Sequence, residues 1–580
     1  MKYRKIQKLI QTNKTEDNDT MKKMKNYFLQ TLLLVLPTIL FAQDKTPTEN
    51  KEDLGDKTYI VVKDYRPILA ESYKVSDSPE GDTSSTNPPE LTYSIRSQKA
   101  ETNYETSTIK AVKIKDEPLA KLYKTYIKLG LGNYSIYNGE LYVNALRSKK
   151  GALGVALSHL SGSPGLANVG PASYSKNHGG LYGKYLFDNK VFDGEFNYDR
   201  NAVHYYGLNS EDTVADKAAT AQRFNMFGLK LNLATNNLSK DKIDYSGGID
   251  WKSINDHYKV SENDILVHGF VGKDLESFYF KTDLSFDYFQ KSRADYELLN
   301  INSDLSRHII KATPMIKLKN EKALLSLGLE IALEKNLEST VHLFPKIDFT
   351  LPIAENVLYL FANVDGGVVK NNFYTMALEN PFVNSTVQPL NTIDKLSLKG
   401  GLNGNFSSRV SFLASIKYST FDKMLLYYND SINTNKFDAL FVDGKVLTFH
   451  GELTYRASEK FTANVHVDQH SYSLDFAHKV WHKPNTEVKL DLKYNLRSKL
   501  YVDAAVFFRG NYFVRVQEPI GFSEKSIKGF ADVNLGLEYR YSKILSVFAN
   551  LNNLGFSRYY YWNNYPSERF NMLVGITYSF

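Results

Sequence analysis

Over most of this chain apolar and polar residues alternate one by one. Val488, Leu490, Leu492, Tyr494 and Leu496 share one parity, against Glu487, Lys489, Asp491, Lys493 and Asn495. Ala531, Val533, Leu535, Leu537, Tyr539 and Tyr541 oppose Asp532, Asn534, Gly536, Glu538 and Arg540, and Phe278, Phe280, Leu284, Phe286 and Tyr288 oppose Lys281, Asp283, Ser285 and Asp287. A strand sends successive side chains to opposite faces, so each segment has one oily face and one polar face. Soluble sheets share this period. Here the polar face carries charges of both signs along nearly its whole length and the other face almost none, which is the pattern of strands with lipid outside and a wet lumen inside.

The connections point the same way. Short polar turns fall near Ser148–Lys150, Asp188–Lys190, Asn236–Lys242, Lys273–Leu275, Asn320–Lys322, Pro352–Asn356, Ser407–Arg409, Ala457–Lys460, Arg497–Lys499 and Ser542–Lys543. The longest intervening connections lie around Ser161–Ser173, Gly207–Ala221 and Tyr374–Ile393. Ten turns on one side, with both chain ends on that side too, need eleven hairpins. The expected fold is therefore all-β: an antiparallel transmembrane barrel of about 22 strands, within a range of roughly 20 to 24, preceded by a short N-terminal segment.

Other features divide the chain. Phe28 to Ala42 is almost continuously apolar and follows Lys22, Lys23 and Lys25. A positive start and a short greasy run make a secretory signal, expected to be cleaved after Ala42, with Met21 or Met24 as the start and the preceding residues an upstream extension. The expected division is residues 1–42 as extension and signal, 43–121 as a periplasmic or luminal pre-barrel segment, and 122–580 as the barrel. The middle part is rich in charged residues, Ser, Thr and Pro, and Ser76 to Glu90 has almost no large apolar residue.

Composition narrows the chemistry. The 580 residues include 40 Tyr and 34 Phe, 13% aromatic in all, yet the mean hydropathy is negative. A barrel dilutes its oily residues in this way; a helical membrane protein does not. With no cysteine, disulfides, thiolate-held metal clusters and a lipoprotein anchor are excluded. A net charge of +7 is mild, and scattered lysines give no basic stripe for nucleic acid. Nothing calls for a cofactor.

The last residues, Arg569 to Phe580, form an amphipathic strand ending on an aromatic. Gly575, Tyr578 and Phe580 resemble the sorting signal read by the outer-membrane barrel-assembly machinery, although Leu573 stands where that pattern wants a polar residue. The runs Ala477–Pro484, Leu490–Leu500, Asn534–Tyr539, Ser546–Leu554 and Tyr561–Pro566 resemble the barrel of TonB-dependent receptors, of the plug-poor type found in Bacteroidota. The resemblance implies a multi-pass barrel in the outer membrane of a Gram-negative bacterium, with both termini periplasmic or luminal. It also implies that the barrel passes or receives a solute. The family carries a plug about twice the length of the pre-barrel segment here. That departure favours an alternative: a non-transporting scaffold in an outer-membrane machine for barrel assembly or protein secretion. A barrel this wide needs blocking, by residues 43–119 or by a partner.

Expected partners are outer-membrane lipid, the barrel-assembly machinery, and either a periplasmic energising protein or fellow subunits of an outer-membrane complex. Tyr59, Ile60, Val61 and Val62 resemble the TonB box, which pairs by strand addition; the plainer reading is a docked strand. His466, Asp468 and His470 share a lumen-facing parity, with His478 and His482 expected on the next strand; such spacing can hold a divalent metal, although lumen faces are polar in any case. Tyr559, Tyr560, Tyr561 and Trp562 suit a membrane interface or, alternatively, a sugar-stacking platform. Ser158–His159 and Ser306–His308 are close only in sequence, and no nucleophile motif surrounds them, so no enzyme is expected.

Overall fold

A half-oily strand in a membrane must also pair every backbone group, which only a closed sheet achieves. The computed structural model describes residues 122–580 apart from 146–147, 149, 188, 208–216, 237–242, 293–304, 319–322, 337, 476–478 and 519. In it, 22 strands form one antiparallel sheet. The first strand, Thr125–Gly132, pairs with Ile136–Asn144 on one side and with the last strand, Asn571–Ser579, on the other, in register from Tyr126↔Ser579 to Gly132↔Leu573. The ring is closed. The expected signal segment, the Tyr59–Val62 motif and His478 lie outside the described residues.

Each strand pairs with its neighbours in sequence, and two short hairpins stand off the ring. These are Tyr512–Gln517 with Phe522–Ile527, and Tyr560–Trp562 with Tyr565–Pro566. The anticipated turns that the described residues cover fall at one end, the turn end, where the strand bounds leave connections such as 408–409, 459–460 and 497–499. The long connections gather at the other end, the loop end.

The two faces divide as the alternation requires. Val341 and Leu343 are 63% and 62% exposed on the outside, while Ala332 on the neighbouring strand points inward and is fully buried. Dozens of exposed Leu, Val, Ile, Phe and Tyr residues cover the exterior. So much contiguous apolar surface suits hydrocarbon rather than water. Along the last strand Met572, Val574, Ile576, Tyr578 and Phe580 are exposed, whereas Leu573 is buried inward against Ile136 and Phe548.

Two strands outgrow any bilayer. Val410–Asn429 has 20 residues and Phe437–Ser458 has 22, against the roughly 9–11 a crossing needs. Their hairpin rises beyond the loop end of the wall, and a bulge between Phe421 and Met424 re-aims it, with Lys423 in the left-handed region. Bulges at Asp365/Gly367 and Asp394/Leu396 bend the two strands that carry the connection 370–391.

Candidate functional site: a loop-built cap

The connection 370–391 contains the only helix among the described residues, Phe373–Glu379. A helix start leaves backbone N–H groups without partners. Asn372 accepts from the Thr375 N–H at 2.8 Å, and the Thr375 hydroxyl accepts from the Asn372 N–H at 3.1 Å. Two more donors, the N–H groups of Phe373 and Tyr374, reach the Glu262 carboxylate on the barrel wall at 2.9 and 3.0 Å. One buried carboxylate thus satisfies the helix start and meets the positive end of its dipole.

The same connection is tied down on both sides of the helix. Lys370 Nζ lies 2.6 Å from Asp264 and 2.7 Å from Asp287, two inward side chains of adjacent strands. Arg307, 1% exposed, donates to the Asn371 carbonyl at 3.0 Å and lies 4.3 Å above the Phe289 ring. Lys291 donates to the carbonyls of Ser385 and Val387 at 2.8 and 2.6 Å. Removing one member of such a buried network leaves an uncompensated charge, so the root of the connection is firmly held.

Beyond the root, connections from distant parts of the ring meet. The Tyr205 hydroxyl donates to the Val383 carbonyl at 3.1 Å, and Asn435 donates to the Tyr205 carbonyl at 2.9 Å. Tyr205 follows the fifth strand of the ring and Asn435 the fifteenth, so this bond spans nearly the full width of a 22-strand circle. Tyr565, after the twenty-first strand, donates to the Asn435 carbonyl and stacks on Phe382 with ring centres 3.7 Å apart. Gly207 passes so close that a Cβ there would lie 2.5 Å from the Tyr565 ring, which only glycine permits. Phe224, Met226, Ile254, Phe373, Met376, Val383, Tyr427 and Phe437 complete a continuous apolar cluster. Each fully buried side chain of this kind stabilises by about 1.5–3 kcal/mol. Together these connections form a cap across the loop end of the barrel.

His482 is the polar pivot. Its Nδ1 lies 3.0 Å from the Tyr427 carbonyl and its Nε2 3.3 Å from the backbone nitrogen of Asn563. A carbonyl can only accept and a backbone N–H only donate, so the ring is neutral with its proton on Nδ1. Burial pushes its pKa down to about 3, with Arg509 and Lys483 adding to the effect. A second apolar layer supports the outer side of the long hairpin: Met424, Leu426, Val442, Val480 and Trp481 pack together, with Phe513 against them. Arg515 lies over Tyr428 at 4.7 Å and over Phe522 at 4.4 Å.

The sequence-derived sites fall elsewhere or change meaning. His466, Asp468 and His470 do share one inward face of Phe461–Leu474, but each finds its partner across the strand boundary. His450 bridges Asp468 at 2.7 Å and Glu452 at 2.9 Å, His466 lies 3.6 Å from Glu452, and His470 lies 3.0 Å from the Thr448 hydroxyl. Among the described residues no group of three or more His, Asp or Glu side chains is arranged to hold a metal ion. His450 and Glu452 escaped the sequence reading, although their alternation was visible. His482 is not on the following strand, which begins at Thr486; it belongs to the cap. Tyr559–Trp562 turn inward rather than lying at a membrane interface. Tyr559 bonds Asp532 at 2.9 Å and stacks on Phe530, while Trp562 packs against Tyr427, Phe437 and His482. Ser158 and His159 point to opposite faces of one strand, and His159 bonds Asn177 and Ser161.

The apolar cap residues carried one missed signal. Met424 to Tyr428 is an unbroken apolar run, and a strand that is apolar at every position is covered on both faces. That is the situation of the long hairpin, with the cap on one side and Trp481 on the other.

No protein-family model matches the sequence, and neither does any curated protein. Solved structures do match in fold. The FrpB iron transporter of Neisseria meningitidis is 13% identical with a TM-score of 0.62, over 80% of this chain and 82% of that one. The siderophore receptor PirA of Acinetobacter baumannii is 10% identical with a TM-score of 0.61, over 80% and 81%. The pyoverdine receptor FpvA of Pseudomonas aeruginosa is 11% identical with a TM-score of 0.59, over 80% and 79%. At such identities the likeness is one of architecture, and the architecture is that of the TonB-dependent receptor barrels.

Proposed function

We propose that the protein is an outer-membrane barrel of receptor type that takes a solute across the outer membrane, with the cap as its external gate. The short turns and both chain ends would face the periplasm and the loop end the outside, as the asymmetry of connection lengths favours. The observation that carries this reading is the meeting of Tyr205, Val383, Asn435 and Tyr565 across the ring. On this reading a solute would enter when those contacts part. The structural neighbours, which include iron and copper transporters and a siderophore receptor, support the solute class by analogy of fold. Opening would draw on a periplasmic energising protein that pairs with Tyr59–Val62, and the Gly575, Tyr578 and Phe580 strand would be the element handed to the barrel-assembly machinery. Uptake into proteoliposomes tests the reading. Vesicles carrying the protein with Phe382→Ala and Tyr565→Ala should admit solutes that the unaltered protein excludes, and equal exclusion by both would overturn the gate.

A second reading has its own support. The root of the cap is fixed by buried ion pairs at Lys370, Arg307 and Lys291, a costly arrangement to break at every cycle. On this reading a permanently closed barrel would serve as a scaffold in an outer-membrane machine. Gentle detergent extraction followed by pull-down separates the two: stoichiometric partners indicate the scaffold, and a lone protein that opens indicates the transporter.

A further inference from the structure

The outward wall beside the cap changes character in a defined sequence. Strands Lys190–His204 and Ala221–Thr235 are neighbours, with Tyr198↔Phe227, Arg200↔Asn225 and Ala202↔Arg223 in register. Phe224 and Met226 point inward and are buried, so Arg223, Asn225 and Phe227 point outward, together with Arg200 and Tyr198. Rising from the turn end, the outward positions read Phe192 and Phe196 beside Leu233, Leu231 and Leu229. Next comes the Tyr198–Phe227 ring pair, 4.9 Å between centres, and then Arg200, Asn225 and Arg223. Purely apolar, then a ring pair with a hydroxyl, then cationic is the order of hydrocarbon, interface and headgroup.

Neither guanidinium has an ion-pair, hydrogen-bond or ring partner among the described residues. On the outward positions of these two strands and their neighbours, Tyr174–Leu186 and Ile243–Asn255, there is no carboxylate. The carboxylates of this wall, Asp193, Glu195, Asp199, Asp244 and Asp250, share the inward parity, with Glu195, Asp199 and Asp250 facing Lys230, His178 and His268. Two free guanidiniums on diagonal outward positions lie about 7–8 Å apart at their Cα atoms. The Asn225 amide oxygen is taken by the Tyr198 hydroxyl at 3.2 Å, which leaves its N–H groups for a ligand.

We propose that Arg200 and Arg223, with Asn225 beside them, bind the phosphate of a lipid headgroup in the outer leaflet. Guanidinium suits this task because its planar fork meets a phosphate with two parallel hydrogen bonds and sheds water readily. The aromatic pair just below would pack on the first methylenes of the same lipid. The proposal rests on the outer-membrane orientation proposed above.

Native mass spectrometry of the full chain in detergent tests it, with bisphosphorylated lipid A, dephosphorylated lipid A and inorganic phosphate as probes. The phosphorylated lipid should bind about tenfold more tightly than the dephosphorylated one, and Arg200→Gln with Arg223→Gln should erase that preference. The Lys pair, Arg200→Lys with Arg223→Lys, should keep part of it and so guards against misfolding. Equal binding of the two lipids, or an unchanged double Gln variant that retains heat-modifiable gel mobility, overturns the site. Displacement of the lipid by inorganic phosphate at matching concentration overturns the lipid as occupant. Protein that leaves the membrane without detergent overturns the orientation itself, whereas detergent-dependent protein blind to phosphate overturns only the site.

Discussion

Gly575 is a residue whose replacement the closed ring cannot absorb. It pairs with Gly130 where the last strand meets the first, and a Cβ at Gly575 would lie 1.9 Å from the Leu129 carbonyl oxygen and 2.7 Å from the Phe548 ring. The glycine of the terminal strand pattern thus has a packing role at the seam, independent of any sorting role. Gly575→Ala should cost about 1–3 kcal/mol by overpacking and lower the temperature at which the compact gel form is lost; an unchanged temperature would contradict the seam. His482 contributes a pH dependence to the cap. Its pKa of about 3 in the folded state lies below the ordinary histidine value near 6.5, so the neutral ring is the folded one. Cap stability is complete above that ordinary value and falls as pH drops from there towards about 3. Between pH 7 and pH 5 the loss is about 2 kcal/mol. His482→Gln, which retains a donor and an acceptor but does not titrate, should flatten the dependence when hydrogen exchange of the connection 475–485 is followed against pH.

Among the elements, the strands were legible and the connections were not. The described turns were readable because Ser, Asn, Asp and Lys clusters interrupt a strict period of two, and that period reports a face that lipid or lumen fixes at every step. The connection 370–391 obeys no period. Its partners Glu262, Asp264, Asp287 and Arg307 lie tens of residues away, and as single residues on a polar face they looked like any lumen wall. The bulges that turn it inward leave no more trace than the paired glycines Gly366 and Gly367. The inward turn of Tyr559–Trp562 was hidden for a related reason: aromatic residues suit a membrane rim and a packed cap equally. A substitution probes the connection. Lys370→Met leaves Asp264 and Asp287 facing each other without their shared cation, at a cost of about 3–5 kcal/mol. Faster hydrogen exchange at the Phe373–Ala377 amides is the expected result, and unaltered protection would mean that the Glu262 bonds and the apolar cluster hold the helix without Lys370.

For the molecule as a whole, a barrel of this width without a seal would leak. Among the described residues the cap is the candidate for that seal: fifteen buried side chains, contributed by strand ends and by connections from several parts of the ring. The other seal expected from the sequence is residues 43–119. Removing Tyr59–Lys115 and recording current across planar bilayers distinguishes the two seals directly. A barrel shut by its own connections stays as silent as the intact chain, whereas large stepwise openings in the shortened protein would place the barrier in the missing segment and refute the cap as the closure.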